Sequence, residues 1–402
     1  MTKPIHVLIA GGGIGGLSAA IALAKQGAKV SLFEKARKFT EVGAGLQLSP
    51  NSMAVLDALG LRDKIKAAAF APQQGVLRDY ITGAPLLSTQ MGAAYMARYG
   101  HGYYNIHRAD LLDILIQAAR DNDVDFHLGA EAQSYAQSGD GITLRTSQGD
   151  FDGDVVIGAD GIKSAIRAQL SGENTPRYTG YCAWRGIIRA NALPDNTLPK
   201  TANNWLGPEK HFVAYYLRDG ALINFIAVHR RDDWSAENWT TPGDMEQLRS
   251  AFEGWDDRIG AILGACEQTY LWGLFDHPAL ANWTDGRAAL LGDAAHPMLP
   301  FMAQGASMAI EDGWVLAAKL CGSDGPIAFR LRAYQAARHA RATLLQDTSR
   351  SNAQLYHAHD AIGLTKRIIM FKTAKFFPAA THSRLDPIYG VDVTKDYPIT
   401  PI

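Results

Sequence analysis

The sequence contains few cysteines and has no excess of charge of either sign. The three cysteines, Cys182, Cys266 and Cys321, lie far apart and form neither a CxxC pair nor a disulfide framework. That pattern is typical of a reducing compartment, so we expect a cytoplasmic protein with no metal site. The formal net charge is -1, and there is no long basic run. Electrostatic binding of nucleic acid is therefore not expected.

Long uninterrupted hydrophobic runs are also missing. Residues 7 to 24 are apolar enough to suggest a signal peptide or a membrane span, but glycines interrupt the stretch after five or six residues. The only cationic residue before it is Lys3, and no small-residue cleavage pattern precedes charged sequence. We expect neither a signal peptide nor a stable membrane association. The 402 residues, 47% hydrophobic and 20% charged, predict two interlocked globular domains.

Glycines near the N-terminus form a GxGxxG motif at Gly11, Gly13 and Gly16. An apolar strand is predicted before the motif and a helix after it, which is the setting of a dinucleotide-binding turn. Gly11 would make the turn, Gly13 would let the backbone approach a pyrophosphate, and Gly16 would allow close packing of helix on strand. The motif is compatible with NAD or FAD, and the alternative is a glycine-rich turn without a ligand.

A second predicted strand, at residues 29 to 33, ends in Glu34, which Lys35 follows. Glu34 lies eighteen positions beyond Gly16, where an acid would meet the hydroxyls of a ribose. We therefore predict that Glu34 and Lys35 bind the cofactor.

Residues 154 to 167 repeat the theme of strand, glycine turn and helix. Asp160 is predicted at the carboxyl end of the strand and Arg167 in the following helix. The two residues are candidates for pyrophosphate binding, either directly or by fixing the loop. The alternative for Asp160 is a helix cap, because Asp is favoured at that position.

Residues 292 to 313 are the best clue to function. A short apolar strand leads into Gly292-Asp293, a loop with prolines follows, and a helix is predicted to open at Gly305 and Ala306. A carboxylate at Asp293 can accept hydrogen bonds from ribityl hydroxyls, and a helix N-terminus favours an anion such as a reduced flavin. Small residues at the helix start would let a flat ring approach the backbone. The alternative is an ordinary buried junction, in which His296 is structural.

Other stretches of the first half add candidates for ligand contact. The loop at residues 41 to 51, which contains Gln47, would pass along a long ligand. Arg108 precedes a predicted helix and would reach a phosphate or the ribityl chain, although a solvated arginine is the default. Residues 76 to 100 predict short strands and turns, and residues 124 to 146 predict a β-meander.

Residues 180 to 275 predict a sheet of alternating strands that forms the substrate side. His211 and Tyr215 are four positions apart in one strand, so their side chains project on the same face. Phe212 and Ala214 would face the other way. A histidine with a near-neutral pKa can take the proton of a phenol, which makes His211 a candidate base. A hydrogen-bonded structural histidine is the alternative.

Taken together, the GxGxxG motif with Glu34, the Asp160-Gly161 stretch and the Gly292-Asp293 stretch resemble the single-component FAD-dependent aromatic hydroxylases over the whole chain. The resemblance is strongest to the branch of salicylate hydroxylase and 3-hydroxybenzoate 6-hydroxylase. It implies that Arg108 and Asp293 hold the ribityl and pyrophosphate portions of FAD and that Glu34 holds the adenosine ribose. Gly305 and Ala306 would contact the pyrimidine edge of the isoalloxazine ring, and Pro297 would flank that ring.

The resemblance also implies the reaction. FAD is held non-covalently, NADH or NADPH docks transiently as the reductant, and a flavin C4a-hydroperoxide transfers oxygen from O2 to a small aromatic acid. His211 would be the base, with Tyr215 lining the pocket. Pro300 is shared with the salicylate hydroxylases and favours salicylate, which would lose carbon dioxide and give catechol. No single arginine stands out as the anchor for the substrate carboxylate, and Gln47, Arg185 and the backbone are the candidates.

Several alternatives to salicylate stay open. They are a 3-hydroxybenzoate 6-hydroxylase, a 6-hydroxynicotinate 3-monooxygenase, and an epoxidase or polyprenyl-phenol hydroxylase with the same flavin apparatus. A redox-silent flavin-binding protein is the alternative from another class. His211 and Tyr215 argue mildly against it.

The expected fold is α/β, with a Rossmann-like FAD-binding domain, an inserted β-sheet substrate domain and C-terminal helices. Residues 367 to 377 combine lysines with large apolar residues, and a homodimer contact or a lid is favoured over a membrane-surface helix. The FAD-binding domain is expected at residues 1–75, 101–179 and 276–355, the substrate domain at 76–100 and 180–275, and the C-terminal helical segment at 356–402.

Overall fold

A computed structural model describes residues 4–39, 44–172, 175–234, 241–376 and 378–399. The strands are β1 (His6–Ala10), β2 (Lys29–Glu34), β3 (Gly45–Leu48), β4 (Gln74–Asp79), β5 (Pro85–Gln90), β6 (Tyr104–His107), β7 (Asp125–Leu128), β8 (Ala132–Ser138), β9 (Gly141–Thr146), β10 (Gly149–Gly153), β11 (Val155–Gly158), β12 (Arg177–Arg189), β13 (Ala202–Gly207), β14 (Lys210–Leu217), β15 (Leu222–Arg230), β16 (Thr241–Gly243), β17 (Thr269–Asp276), β18 (Thr284–Asp285) and β19 (Ala288–Leu290). The helices are α1 (Ile14–Ala24), α2 (Pro50–Ala58), α3 (Arg62–Ala68), α4 (Gly92–Tyr99), α5 (Arg108–Arg120), α6 (Ala165–Ser171), α7 (Met245–Ala251), α8 (Asp257–Gly264), α9 (Gly305–Cys321), α10 (Ile327–Tyr356), α11 (Ala361–Phe376), α12 (Pro378–Tyr389) and α13 (Val393–Asp396).

Six strands form the sheet that carries the glycine motifs, in the order β18-β19-β11-β1-β2-β7. All neighbours in it are parallel except β18, which pairs antiparallel with β19 at one edge. The apolar side chains of β1 are fully buried, as expected for a strand covered on both faces. Because parallel strands end at one edge of a sheet, the segments after β1, β2, β11 and β19 meet there. The three predicted motifs are therefore brought together.

Helices α1 and α9 cross on one face of this sheet with almost no space between their backbones. A Cβ at Gly313 of α9 would lie 2.6 Å from the backbone nitrogen of Ala19 in α1. Glycine is needed there because any side chain would push the helices apart. The close crossing fixes the start of α9 relative to the GxGxxG turn.

The second large sheet has eight strands in the order β16-β17-β12-β15-β14-β13-β4-β5. One face packs on α7 and α8 through a core that includes Phe212 and Ala214 of β14. His211 and Tyr215 lie on the opposite face, as strand alternation requires. That face contacts the loop before α9, where Leu299 and Phe301 pack against Val228 and its neighbours.

The structure confirms the α/β class, and it also corrects two details. Residues 76 to 100, predicted as strands and turns, include the helix α4 after β5. The predicted meander at residues 124 to 146 is not one sheet, because β7 joins the parallel sheet, whereas β8 and β9 form a separate three-stranded sheet with β10. The hydrophobic pattern alone did not distinguish a buried parallel edge from a hairpin. The domain boundaries themselves stay a prediction.

The C-terminal part is helical, as predicted. Helix α10 is 30 residues long and runs behind the loop before α9. Helix α11 exposes large apolar side chains, among them Ile362, Ile369 and Phe376 at 58–74%. The dimer contact or lid proposed for this segment stays a prediction. Within the described part of the chain, no helix is both long and apolar enough to cross a bilayer.

Candidate active site

The GxGxxG turn has the geometry of a dinucleotide-binding loop. Gly11 has a φ of +109°, and a Cβ there would lie 2.2 Å from the carbonyl oxygen of Ala159. A Cβ at Gly16 would lie 2.0 Å from the carbonyl oxygen of Gly11. At Gly13, by contrast, a Cβ would meet no described atom within 4 Å. Two glycines are therefore required by packing, and the third leaves open space beside the first turn of α1, where phosphate binding stays a prediction.

Glu34 ends β2 with its carboxylate turned back towards the same turn. Its Oε2 accepts a hydrogen bond from the backbone nitrogen of Gly12 at 2.8 Å, and Oε1 accepts from that of Ala36 at 2.9 Å. Each carboxylate oxygen keeps capacity for a further donor such as a ribose hydroxyl. Lys35 is exposed. The contacts of both residues with the cofactor stay predictions.

Asp160 fixes the loop between β11 and α6. It accepts hydrogen bonds from the hydroxyl of Ser164 and, at 3.3 Å, from the backbone nitrogen of Ile166. Burial raises the pKa of the Asp160 carboxyl. These contacts match the indirect alternative, in which Asp160 shapes the loop, and direct contact with a pyrophosphate stays a prediction.

Arg167 joins two of the predicted motifs. Its guanidinium donates to the carbonyl oxygens of Ile162, of Asp293 at 3.1 Å and of Ala294 at 3.3 Å. The side chain is buried. Arg167 therefore holds the β11–α6 loop against the loop after β19, and its direct contact with a pyrophosphate stays a prediction.

Asp293 lies in a 3-10 turn, Gly292–Ala294, directly in front of the N-terminus of α9. Its side chain is exposed, and a Cβ at Gly305 would lie 3.9 Å from its Oδ1. Gly305 and Ala306 are half-buried and form the first turn of α9. A carboxylate and bare backbone N–H groups thus border one space, which suits a ligand with both hydroxyls and an anionic edge.

A buried network of charges holds this turn in place, and the sequence did not reveal it. Asp312 accepts hydrogen bonds from the backbone nitrogen of Gly292 at 3.1 Å and from Nε of Arg338 at 2.7 Å, and its carboxylate lies 2.5 Å from Nε2 of His296. Arg338 also pairs with Glu311 at 2.7 Å. Burial alone would raise the pKa of Asp312, but His296 and Arg338 outweigh it and hold the pKa at about 2. His296 is therefore placed as a structural residue, as the sequence favoured.

Side chains of helix α10 hold the loop between Asp293 and α9 by hydrogen bonds to the carbonyl oxygens of the loop. Gln346 donates to the carbonyl oxygen of Pro297 at 2.8 Å, and Ser349 donates to that of Leu299 at 2.6 Å. Pro297 is buried, whereas Pro300 is exposed and opens a second 3-10 turn. The loop is thus fixed as a wall between the cofactor edge and the eight-stranded sheet.

His211 is buried on the face of that sheet which looks towards the loop. Its Nδ1 lies 2.8 Å from Nε2 of His357, and its ring lies 5.6 Å from that of Phe301 between centroids. Burial, and after it His357, lowers the pKa of His211 well below its usual value. His211 is therefore neutral near pH 7 and can accept a proton, but its pKa in the protein without ligand is lower than the near-neutral pKa expected from the sequence.

Tyr215 is also buried on this face, beside the β3–β6 ribbon. A Cβ at Gly45 would lie 2.7 Å from the ring of Tyr215, and Gly45 donates to Oδ1 of Asn224 at 2.8 Å. Burial raises the pKa of the Tyr215 hydroxyl, so it stays protonated and can donate a hydrogen bond. Residues 41 to 43 of the predicted ligand loop lie outside the described residues.

Gln47 and Arg108 flank the same ribbon. Gln47 pairs with Asn105, so both side chains lie on the face that Gly45 turns towards Tyr215. Arg108 opens α5, and its backbone nitrogen donates to the carbonyl oxygen of Ala44 at 2.9 Å. Gln47 therefore lies on the face of the ribbon that is turned towards Tyr215, and the contacts of Gln47 with a substrate and of Arg108 with FAD stay predictions.

Two buried side-chain amides near Gly45 and Tyr215 were not predicted from the sequence. Both amide atoms of Asn105, and Nδ2 of Asn224, are buried with no hydrogen-bond partner among the described residues. Unpaired buried polar groups are costly, so they mark positions where a ligand or a water binds. The only sequence signal for them was asparagine within apolar strands.

Comparisons with known proteins agree with this geometry. The profile of the FAD binding domain family matches residues 4–349. The 3-amino-4-hydroxybenzoate 2-monooxygenase of Streptomyces platensis is 38% identical over 356 residues, which cover 88% of this chain and 89% of the relative. The 3-hydroxybenzoate 6-hydroxylase of Polaromonas naphthalenivorans is 37% identical and covers 88% of each chain. A solved salicylate hydroxylase substrate complex superposes with a TM-score of 0.83 at 26% identity, covering 99% of this chain and 98% of the other.

Proposed function

This chain belongs to the FAD-dependent monooxygenases that act on aromatic substrates, and from that premise we propose that it hydroxylates a small hydroxybenzoate whose carboxyl group is retained. FAD is its cofactor, with NADH or NADPH as the transient reductant. The redox-silent alternative is set aside because the curated relatives are monooxygenases.

One observation carries the proposal, namely the arrangement of Arg185, His211 and Tyr215 on a single sheet face. In the strand register Arg185 pairs with Ile226, which pairs with Val213, and Val213 lies between His211 and Tyr215. Two strand spacings separate Arg185 from Val213, about 10 Å. A substituted benzene ring fits across Ile226, with a carboxylate towards Arg185 and a phenol towards β14.

Arg185 is suited to hold the carboxylate. Its side chain is buried, and its guanidinium carbon lies 5.6 Å from the ring centroid of Tyr270 and 5.3 Å from that of Trp272. The two rings restrict the guanidinium, which lowers the entropy lost when it binds an anion. A restricted, buried cation favours a substrate acid over a neutral phenol.

The cofactor residues fit FAD, because the space at Gly13 and the carboxylate of Asp293 beside α9 match a pyrophosphate and a ribityl chain. When bound, FAD supplies the redox chemistry: two electrons from NAD(P)H reduce O2, so that one oxygen atom enters the ring and the other leaves as water. The protein supplies the proton steps. His211 takes the phenol proton at Nε2, Tyr215 donates a hydrogen bond to a substrate oxygen, and Leu299 with Phe301 excludes water.

We favour a hydroxybenzoate that keeps its carboxyl group over salicylate. The preference for salicylate rested on Pro300, an exposed residue at the start of a turn. The two relatives described above, at 37% and 38% identity, are named for 3-hydroxybenzoate and 3-amino-4-hydroxybenzoate, whereas the salicylate hydroxylase complex is 26% identical. The two unpaired amides, Asn105 and Asn224, also offer hydrogen bonds to a further ring substituent.

The experiment is a substrate panel with NADH oxidation, oxygen uptake, carbon dioxide release and product identity measured together. The panel contains 3-hydroxybenzoate, 3-amino-4-hydroxybenzoate, salicylate and 6-hydroxynicotinate. We expect a hydroxylated benzoate without release of carbon dioxide. Stoichiometric carbon dioxide from salicylate, with no product from the other acids, would refute the proposal.

The substrate anchor is tested by Arg185→Met. Loss of a charge-assisted hydrogen bond should raise the KM of the acid substrate roughly 10- to 100-fold, with a smaller change in kcat. The matched control is the corresponding phenol without a carboxyl group, whose KM should change little. An equal rise in KM for both compounds would mean that Arg185 does not bind the carboxylate.

A further inference from the structure

His357 directly follows α10 and contacts His211 in the interior of the site. It is buried, and its Nε2 lies 2.8 Å from Nδ1 of His211. The ring of Tyr181 stacks on it with centroids 4.2 Å apart and planes inclined by 16°. Phe301 packs edge-on at 5.4 Å. Aromatic rings therefore fix the imidazole of His357 in one orientation towards His211.

The hydrogen between these two rings decides what His211 presents to the substrate. A neutral imidazole has one N–H group and one lone pair. If His211 donates from Nδ1, its Nε2 keeps a lone pair and can accept a proton. If His357 donates instead, Nε2 of His211 carries the hydrogen and cannot act as a base. No hydrogen bond joins Nε2 of His211 to a described residue. In the first arrangement His357 carries its own hydrogen on Nδ1, which is buried without a hydrogen-bond partner among the described residues.

Both imidazoles are neutral near pH 7, so a single hydrogen lies between them. Burial lowers the pKa of His357 to about 3, and the pKa of His211 is also lowered, by burial and then by His357. Other ionisable groups around the pair are Tyr181 and Tyr356, whose pKa values burial raises, and at the surface Glu209 with His359, 3.9 Å apart.

We propose that His357 is a positioning residue, which accepts the Nδ1–H of His211 and holds it in the tautomer whose Nε2 takes the phenol proton. The inference rests on the proposed function, because the need for a base at Nε2 assigns the direction of the hydrogen bond. When His211 becomes charged, the same acceptor stabilises its Nδ1–H. A residue without a hydrogen-bond acceptor at this place removes both effects.

The test compares His357→Leu, which removes the acceptor, with His357→Gln, whose side-chain oxygen can replace Nε2 as acceptor. Tautomers are read by ¹⁵N NMR of histidine-labelled, FAD-loaded protein without substrate, with the His211 signals assigned by their loss in His211→Gln. We expect the Nδ1–H tautomer in the wild type and in His357→Gln, and a mixture or the Nε2–H tautomer in His357→Leu.

Kinetics give the second readout. His357→Leu should slow hydroxylation roughly 10²-fold at unchanged FAD content, and His357→Gln should recover to within about tenfold of wild type. An Nε2–H tautomer of His211 in the wild type, or a glutamine variant as slow as the leucine variant, would overturn the inference. If no hydroxybenzoate is turned over, the proposed function fails, while the NMR result still decides the direction of the hydrogen bond.

Discussion

Replacing Asp312 by asparagine tests the buried charge network behind the cofactor site. Asp312 is fully buried and serves three donors, the backbone nitrogen of Gly292, His296 and Arg338. An asparagine can accept only through its oxygen, and its NH2 group would face another donor. Arg338 would keep only the ion pair with Glu311. Breaking a buried ion pair in this way costs about 3–5 kcal/mol. Because Arg338 keeps Glu311 as a partner, we expect a loss of unfolding free energy at the lower end of this range, about 3 kcal/mol.

Proton linkage gives a second value for the stability that the Asp312 carboxylate contributes. Its pKa falls from 3.8 to about 2 in the folded protein, which corresponds to about 2 kcal/mol of stability. Because the folded-state pKa is depressed, this contribution is fully present above pH 4 and is lost as the pH falls towards 2. The stability difference between wild type and Asp312→Asn should therefore be full at pH 7 and clearly smaller at pH 3.

The assay is urea unfolding of the FAD-free proteins at both pH values, followed by FAD titration of the folded variant. FAD affinity should also fall, because Gly292 loses the hydrogen bond that fixes the turn carrying Asp293. The matched control is Asp150→Asn, an exposed carboxylate 4.0 Å from Arg145, which should change the unfolding free energy by no more than about 0.5 kcal/mol. A loss below about 1 kcal/mol at pH 7, or a difference independent of pH, would refute the reasoning.

Two further predictions concern the cofactor and the base. Acid precipitation should release FAD, because the site binds the cofactor by hydrogen bonds, and flavin retained in the pellet would contradict this. Asp293→Ala should weaken FAD affinity roughly 10- to 100-fold in a fluorescence titration, and an unchanged affinity would contradict the role of Asp293. His211→Ala should slow ring hydroxylation roughly 10²–10⁴-fold, with more hydrogen peroxide per NADH and partial rescue at high pH, where the phenol ionises unaided. His229→Ala, on the opposite face of the same sheet, is the control, and equal uncoupling in both variants would argue against His211 as the base.

The glycine motifs could be predicted from the sequence because their requirement is local. Gly11 and Gly16 are needed by neighbouring backbone atoms, and a strand followed by a helix is visible in the hydrophobic pattern. The alternation that places His211 and Tyr215 on one face is equally local. For these residues, the spacing along the chain determines how the side chains lie relative to one another.

The residues that hold the motifs in place could not be predicted in this way. Arg338 lies 26 positions from Asp312 along the chain. His357, which directly follows the helix that carries Arg338, lies 146 positions from His211. Their partners are set by how α10 packs behind the loop before α9. Asp160 differs, because its hydrogen-bond partners Ser164 and Ile166 are close along the chain and only its burial follows from tertiary packing.

The position of β19 has a consequence for how the protein is made. The sheet edge that receives FAD needs β1, near the start of the chain, and β19, which begins only at Ala288. Until β19 has left the ribosome, the edge of β11 that it covers is an unpaired parallel strand, which is prone to aggregation. Cofactor capture therefore cannot precede synthesis of the chain through β19. Premature termination before residue 288 should give fragments that depend on chaperones and bind no flavin.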